Sequence, residues 1–271
     1  MPQSASSSST WDADAVVVGA GPAGSGTAAA LAQLGHRVLL LEAGRFPRDK
    51  VCGDVLLPEV ATAMTMLGTS LDELAPDAFT VEGCNFTTGS GLRVGADFVD
   101  LHGRKHLWRI LPRRILDERL ARYAERCGAQ LRENQLLERV DWDSTKQLNV
   151  LQVKQRGHRV TYCAPVVVGA DGAFSRVAAS RGLAPMFGTQ PRYSVALRAY
   201  TDHTASAPRF EVITNGQFER GCCWIVPVST HRANVGVGLF DARHRPTRGE
   251  LVQHLTRMID SRISLSKAEF Y

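Results

Sequence analysis

Three glycines and one acid near the start of the chain carry the clearest chemistry. Gly19-Ala-Gly-Pro-Ala-Gly24 follows a β-branched run, Asp14-Ala-Val-Val-Val18, and opens a stretch of small helix formers. In that setting Gly19 permits a tight turn, Gly21 lets a pyrophosphate approach the backbone, and Gly24 lets helix and strand pack closely. The free N–H groups and the dipole at the helix N-terminus favour the anion. Glu42, eighteen residues beyond Gly24 at the end of the apolar run Arg37-Val-Leu-Leu-Leu-Glu42, is placed to accept ribose hydroxyls. The same carboxylate would repel a 2′-phosphate, which argues against NADP in this pocket.

Other reactive side chains offer less. The six cysteines, Cys52, Cys84, Cys127, Cys163, Cys222 and Cys223, form no C-x-x-C pair and no zinc spacing. They read as reduced thiols of a cytoplasmic protein. Of eight histidines only His102 and His106 are four apart, and Gly103 between them argues against a helical metal pair; no metal is expected. Ser25 and Ser175 lack a nucleophile elbow, which excludes hydrolase chemistry. The net charge of +5 is spread along the chain rather than clustered, so nucleic acid is not an expected partner. Residues 1–11 are Ser-rich and read as a disordered tail, without the basic and apolar regions of a signal peptide. The least polar stretch, Ala15 to Ala32, is interrupted by Pro22 and does not read as a membrane span.

The elements that must hold these residues alternate between two patterns. A strand, a helix over Pro22 to Leu34 ended by Gly35, and a second strand open a βαβ unit. From Val60 to Leu107, short segments such as Phe79-Thr-Val-Glu82 and Leu92-Arg-Val-Gly95 suggest antiparallel hairpins. Pro112 to Cys127 is helical by its period, with Gly128 as its stop. Leu148 to Val153 and His158 to Cys163 are the arms of a hairpin turning at Gly157, and Pro165-Val-Val-Val-Gly169 reads as another buried strand. From Arg192 the strand pattern returns, through Ser194–Tyr200, Arg209–Ile213, Cys223–Pro227 and Ala233–Leu239, and a last helix starts near Thr247.

Four segments resemble the geranylgeranyl reductase family of flavoproteins, a branch of the fold shared with p-hydroxybenzoate hydroxylase. They are the glycine turn continued as Phe46-Pro-Arg-Asp-Lys-Val-Cys-Gly-Asp54; Pro112-Arg-Arg-Ile-Leu-Asp-Glu-Arg-Leu120; Gly169-Ala-Asp-Gly-Ala-Phe-Ser-Arg-Val177; and Cys222-Cys-Trp-Ile-Val-Pro227 followed by Gly236-Val-Gly238. The resemblance implies FAD as cofactor, with Arg113 on the dinucleotide and with Asp171 and Gly172 near its pyrophosphate. It implies a catalytic role for Cys52 beside the flavin, and a substrate wall of Trp224, Pro227, Gly236 and Gly238. Cys222 and Val226 stand where the family has Tyr and Phe, so pocket size does not carry over. The family's second flavin motif, G-D-A-A-G, does not follow Gly238, so this chain is expected to bind FAD weakly or to need further sequence for turnover.

The expected fold is therefore α/β: a Rossmann-like FAD-binding domain (residues 12–60 and 110–185) interleaved with an antiparallel-sheet substrate domain (61–109 and 186–245), then a truncated C-terminal helix (246–271). The implied activity is reduction of isoprenoid carbon–carbon double bonds, with NADPH or another external electron donor and a small-molecule or lipid substrate. Peripheral membrane contact is compatible with such a substrate. The alternatives are a flavin monooxygenase or halogenase acting on an aromatic or carrier-bound substrate, and a non-catalytic FAD-binding protein.

Overall fold

The computed structural model of the chain describes residues 11–100, 102–183, 193–202, 207–214, 221–242, 246–259 and 268–270. Most of the expected N-terminal tail, residues 1–10, lies outside them. The chain forms two compact units and passes between them three times. Unit 1 comprises residues 1–48 and 114–186; unit 2 comprises residues 49–113 and 187–271.

Unit 1 opens with β1 (Ala15–Val18), α1 (Pro22–Gln33) and β2 (Val38–Leu41). Pro22 takes the first helical turn, where a missing N–H costs nothing, and alanines fill the helix. Gly35, at φ 86°, ends it in a Schellman motif: its N–H donates to Ala32 O and that of His36 donates to Leu31 O.

The chain then enters unit 2. It forms β3 (Val55–Leu56), α2 (Glu59–Met66), α3 (Leu71–Leu74), β4 (Phe79–Val81), β5 (Gly83–Thr87), β6 (Arg93–Asp97) and β7 (Trp108–Ile110). The two helices correct the expectation of hairpins from Val60 onward. Their signals are local: alanine and methionine make up half of α2, and Ser70 caps α3 by accepting from the Glu73 N–H at 3.0 Å.

Back in unit 1 come α4 (Arg113–Arg126), β8 (Gln130–Arg132), β9 (Gln135–Asp143), β10 (Leu148–Gln155), β11 (His158–Ala164), β12 (Val166–Gly169) and α5 (Arg176–Ser180). Gly128 at φ 107° closes α4 with the same pair of bonds that closes α1. Arg156 and Gly157 both have positive φ, the two-residue turn that matches the twist of a hairpin. A parallel sheet in the order β12-β1-β2-β8 shares its core with the β9–β11 meander: Val16, Val18, Leu39 and Leu41 pack with Leu137, Val140, Leu151 and Val153. The Pro165–Gly169 segment, expected to be buried, is the edge strand β12, and Val166 on it is exposed.

The remainder of unit 2 is β13 (Tyr193–Asp202), β14 (Arg209–Ile213), β15 (Gly221–Pro227), β16 (Arg232–Ala242), α6 (Arg248–Ile259) and β17 (Glu269–Phe270). A capping box starts α6: the Glu250 N–H donates to Thr247 Oγ1, and the Thr247 N–H donates back to Glu250 Oε2. The large sheet runs β17-β13-β16-β15-β14-β5-β6. It is antiparallel except for one parallel pair, β14 with β5, so the expected antiparallel sheet is in fact mixed. Leu197, Ile225, Val235 and Val237 bury one face against Leu251, Leu255 and Ile259 of α6. On a second cluster, Val226, Phe210 and Trp224 meet Val81, Ile110 and Trp108 of the small β3-β7-β4 sheet. Among the described residues, no helix is long and apolar enough to cross a membrane.

Candidate functional site

In unit 1 the backbone builds the site. Gly19 leaves β1 at φ 97°, and its N–H donates to Leu41 O at 2.7 Å. A Cβ here would lie 2.4 Å from Ala170 O, and one on Gly24 would lie 1.7 Å from Gly19 O. The first and third glycines are thus demanded by backbone packed on backbone. Gly21, in extended conformation, is the N-cap of α1; no side chain caps this helix and no acid stands in its first turn. Backbone donors at an uncapped N-terminus fit the pyrophosphate of a dinucleotide.

Glu42 is only 6% exposed and already held. Its Oε2 accepts from the Ala20 N–H at 3.1 Å and from Arg48 at 2.9 Å, and its Oε1 accepts from the Gly44 N–H at 2.9 Å. Burial pushes its pKa up. The Arg48 hydrogen bond, the Gly44 N–H, the Arg48 charge and the Ala20 N–H together outweigh burial and hold it below the usual carboxylate range. With one donor on Oε1, the carboxylate keeps acceptor capacity for a ribose hydroxyl. Arg48 also donates to Asp117, which is fully buried, at 2.6 Å. This bridge went unread in the sequence, although Arg48 and Asp117 lie in two of the quoted segments; only the fold brings those segments together.

Asp171 serves its own chain. It accepts from Ser175 Oγ at 2.5 Å and from the N–H groups of Arg176 at 2.6 Å and Val177 at 3.3 Å, which fastens the start of α5. What lies against Gly19 is the backbone of Ala170 and Asp171. Gly172 has φ 83° with open space where a Cβ would go, so its requirement is conformational rather than steric.

In unit 2 side chains do the building. Paired residues on neighbouring strands share a face, and β-sheet pairing sets out one row: Val94, Phe86, Val212, Trp224, Gly236 and Arg198. The Trp224 indole lies along this row. A Cβ on Gly236 would fall 2.1 Å from Trp224 Cζ2, and one on Gly238 would fall 3.5 Å from Trp224 Cζ3. Gly236 is therefore covered by the indole, which itself is half-buried, while Gly238 meets the Phe240 ring first, at 3.2 Å. Pro227 is buried at the end of β15.

Cys52 is half-buried in the turn before β3, two residues from Asp54. Asp54 is 1% exposed and takes a left-handed conformation, φ 63°. Its Oδ2 accepts from Tyr200 OH at 2.6 Å and from Asn234 Nδ2 at 2.6 Å, and its Oδ1 accepts from the Arg113 N–H at 3.1 Å. Burial outweighs these donors and the nearby Arg198 charge, so the Asp54 pKa is raised. The Arg198 guanidinium, fully buried, sits 4.2 Å from the centroid of the Tyr200 ring and pairs with Asp49. Asp54, Tyr200, Asn234 and Arg198 were not read as site residues: strands β13 and β16 carry three of them, far in sequence from the turn they hold. All six cysteines are free, and burial raises the thiol of Cys84 to about 11 and that of Cys223 to about 12. No group of His, Cys, Asp and Glu among the described residues could hold a metal ion.

Comparison with known proteins places this geometry. The profile of the family described as FAD binding domain matches residues 12–265. A menaquinone reductase of Mycobacterium tuberculosis is 33% identical over 240 residues, covering 86% of this chain and 57% of the relative. Digeranylgeranylglycerophospholipid reductase 1 of Methanopyrus kandleri is 28% identical over 266 residues, covering 93% of this chain and 64% of its own. A geranylgeranyl bacteriochlorophyll reductase-like protein from Thermoplasma acidophilum superposes with TM-score 0.80 at 22% identity, over 96% of this chain and 64% of that one. The chain thus spans a little over half the length of the mycobacterial relative.

Proposed function

The chain belongs to the FAD binding domain family, and from that premise we propose that it is the FAD-binding and substrate-wall portion of an oxidoreductase that reduces carbon–carbon double bonds of an isoprenoid chain. The observation that carries the reading is the thiol of Cys52, set in a turn whose backbone is fastened to the sheet that bears Trp224. Similarity to a menaquinone reductase and to a digeranylgeranylglycerophospholipid reductase supports the substrate class.

Bound FAD would supply the hydride chemistry, with NADPH or another external donor as electron source. The chain's own part is binding, orientation and dryness. Within unit 1, Gly21 and the N-terminus of α1 take the pyrophosphate beside the Asp171–Gly172 backbone, and Glu42 takes the ribose; the family resemblance adds Arg113 as a further dinucleotide contact. Trp224 and the apolar side of its row, Val212, Phe86 and Val94, hold a hydrocarbon chain and exclude water. Cys52 holds a proton at Sγ, which an unactivated alkene needs in addition to hydride.

Mass spectrometry of a geranylgeranyl lipid incubated with FAD, NADPH and the whole oxidoreductase of which this chain is the proposed portion tests the reading. Each reduced bond should add two hydrogens, and Cys52→Ser should keep FAD while losing most of that gain. A product that gains oxygen or halogen instead would assign the protein to the monooxygenase or halogenase alternative.

A further inference from the structure

Asn234 lies near the start of β16, fully buried, and its amide joins two residues that the proposed function places in different roles. Its Oδ1 accepts from the Trp224 indole N–H at 3.0 Å. Its Nδ2 donates to the Cys52 carbonyl at 2.8 Å and to Asp54 Oδ2 at 2.6 Å. The chemistry of the partners settles the orientation of the amide. An indole N–H can only donate and a peptide carbonyl can only accept, so a flipped amide would set donor against donor and acceptor against acceptor.

The same turn is fixed a second time through Asp54. A non-glycine residue at φ 63° is disfavoured, and it persists where surrounding bonds over-determine it. Here Tyr200, Asn234 and the Arg113 N–H do so. Arg198 of β13 also reaches this segment, donating to the Lys50 carbonyl at 3.4 Å, while the Asn234 amide takes the carbonyl of Cys52 itself. The Cys52 carbonyl and the Trp224 indole N–H are therefore joined through one amide.

We propose that Asn234 is a positioning residue that sets the placement of Cys52 according to the placement of the Trp224 indole. A substrate chain that shifts the indole would then shift the thiol with it. The catalytic role of Cys52 rests on the proposed function, but the coupling itself can be read without turnover.

The measurement is the rate of iodoacetamide alkylation at each cysteine of the whole chain, followed by peptide mass spectrometry. Asn234→Asp keeps the shape of the side chain but replaces its two donations with acceptors facing a carbonyl and a carboxylate. Cys52 should then alkylate at a rate changed at least about tenfold, the factor that about 1.4 kcal/mol produces. Cys84 and Cys223 should stay protected, and Cys127 and Cys163 in unit 1 should keep their rates. Trp224→Phe, which removes the indole N–H from the far end of the relay, should change the Cys52 rate in the same direction by a smaller factor. An unchanged Cys52 rate in both variants, with Cys84 and Cys223 protected, overturns the proposal. Should Asn234→Asp expose Cys84 and Cys223, the unit has opened, and an unchanged rate in Trp224→Phe overturns it alone. Failure of the isoprenoid reading would leave every one of these rates as it is.

Discussion

The glycine turn of unit 1 and the Cys52 turn of unit 2 are both tight, but they are held by different means. At Gly24 backbone meets the Gly19 carbonyl within a βαβ unit, at Gly19 it meets the Ala170 carbonyl that follows the neighbouring strand β12, and the side chains are absent because there is no room for them. At Cys52 and Asp54 the turn is held by side chains: Tyr200 and Asn234 reach it from β13 and β16. The first kind of site fails sterically, since a carbonyl cannot step aside. The second fails by loss of hydrogen bonds or by displacement of a ring, and it can relax in part.

The largest expected effect tests the steric side. Gly24→Ala drives a Cβ into the Gly19 carbonyl and should destabilise by more than about 3 kcal/mol, with loss of FAD binding. Thermal denaturation with and without FAD reads it; a melting temperature near that of the unmodified chain would break the comparison. Gly236→Ala is the matched change in unit 2. The obstacle there is the edge of the Trp224 ring as well as Leu197 O, so the indole should be expelled at a cost of about 2 to 3 kcal/mol. A red shift in tryptophan emission should accompany it, and an unshifted spectrum would mean that the indole keeps its place.

The two buried carboxylates sharpen the contrast through pH. Glu42 has a depressed pKa, so its contribution is present above the ordinary carboxylate pKa and fades as pH falls through the folded value. Glu42→Gln should cost about 2 kcal/mol near neutrality, and the gap should close on acidification. Asp54 has a raised pKa, so its contribution is fullest below the ordinary carboxylate value and is lost as pH rises through the folded one. Asp54→Asn should therefore show a gap that narrows towards alkaline pH. Melting curves from acid to neutral pH measure both slopes, and slopes of the same sign would refute the assignment. The smallest effect belongs to Gly172→Ala: a Cβ there meets nothing, so only the left-handed backbone resists, at about 1 kcal/mol. A much larger loss would mean that Gly172 is packed after all.

The same difference explains what could be read in advance. Gly24 against the Gly19 carbonyl, α1 with its Gly35 stop, α4 with Gly128 and the Gly157 hairpin depend on neighbours within a few residues, and their residue types follow directly from backbone geometry; Gly19 is demanded by its positive φ as well as by the distant Ala170 O. Helices α2 and α3 were legible too, through Ser70 with Glu73 and the alanines of α2, but the short strands around them masked those cues. Arg48 with Asp117, and Asn234 with Cys52, are pairings between segments 69 and 182 residues apart, and no local pattern encodes them. Gly236 was read as lining a wall, whereas its lack of a side chain makes room for Trp224.

Backbone conformation is set by each residue's own sterics and nearest bonds, so the sequence by itself determined the dinucleotide turn, its helix and its acid. Which buried polar groups satisfy one another depends on strand register and on which distant strands become neighbours. Only the tertiary structure therefore decided that Arg48 would hold Asp117, that β14 would run parallel to β5, and that Asn234 would join a thiol's turn to an indole: a buried donor takes the acceptor that folding brings within 3 Å of it.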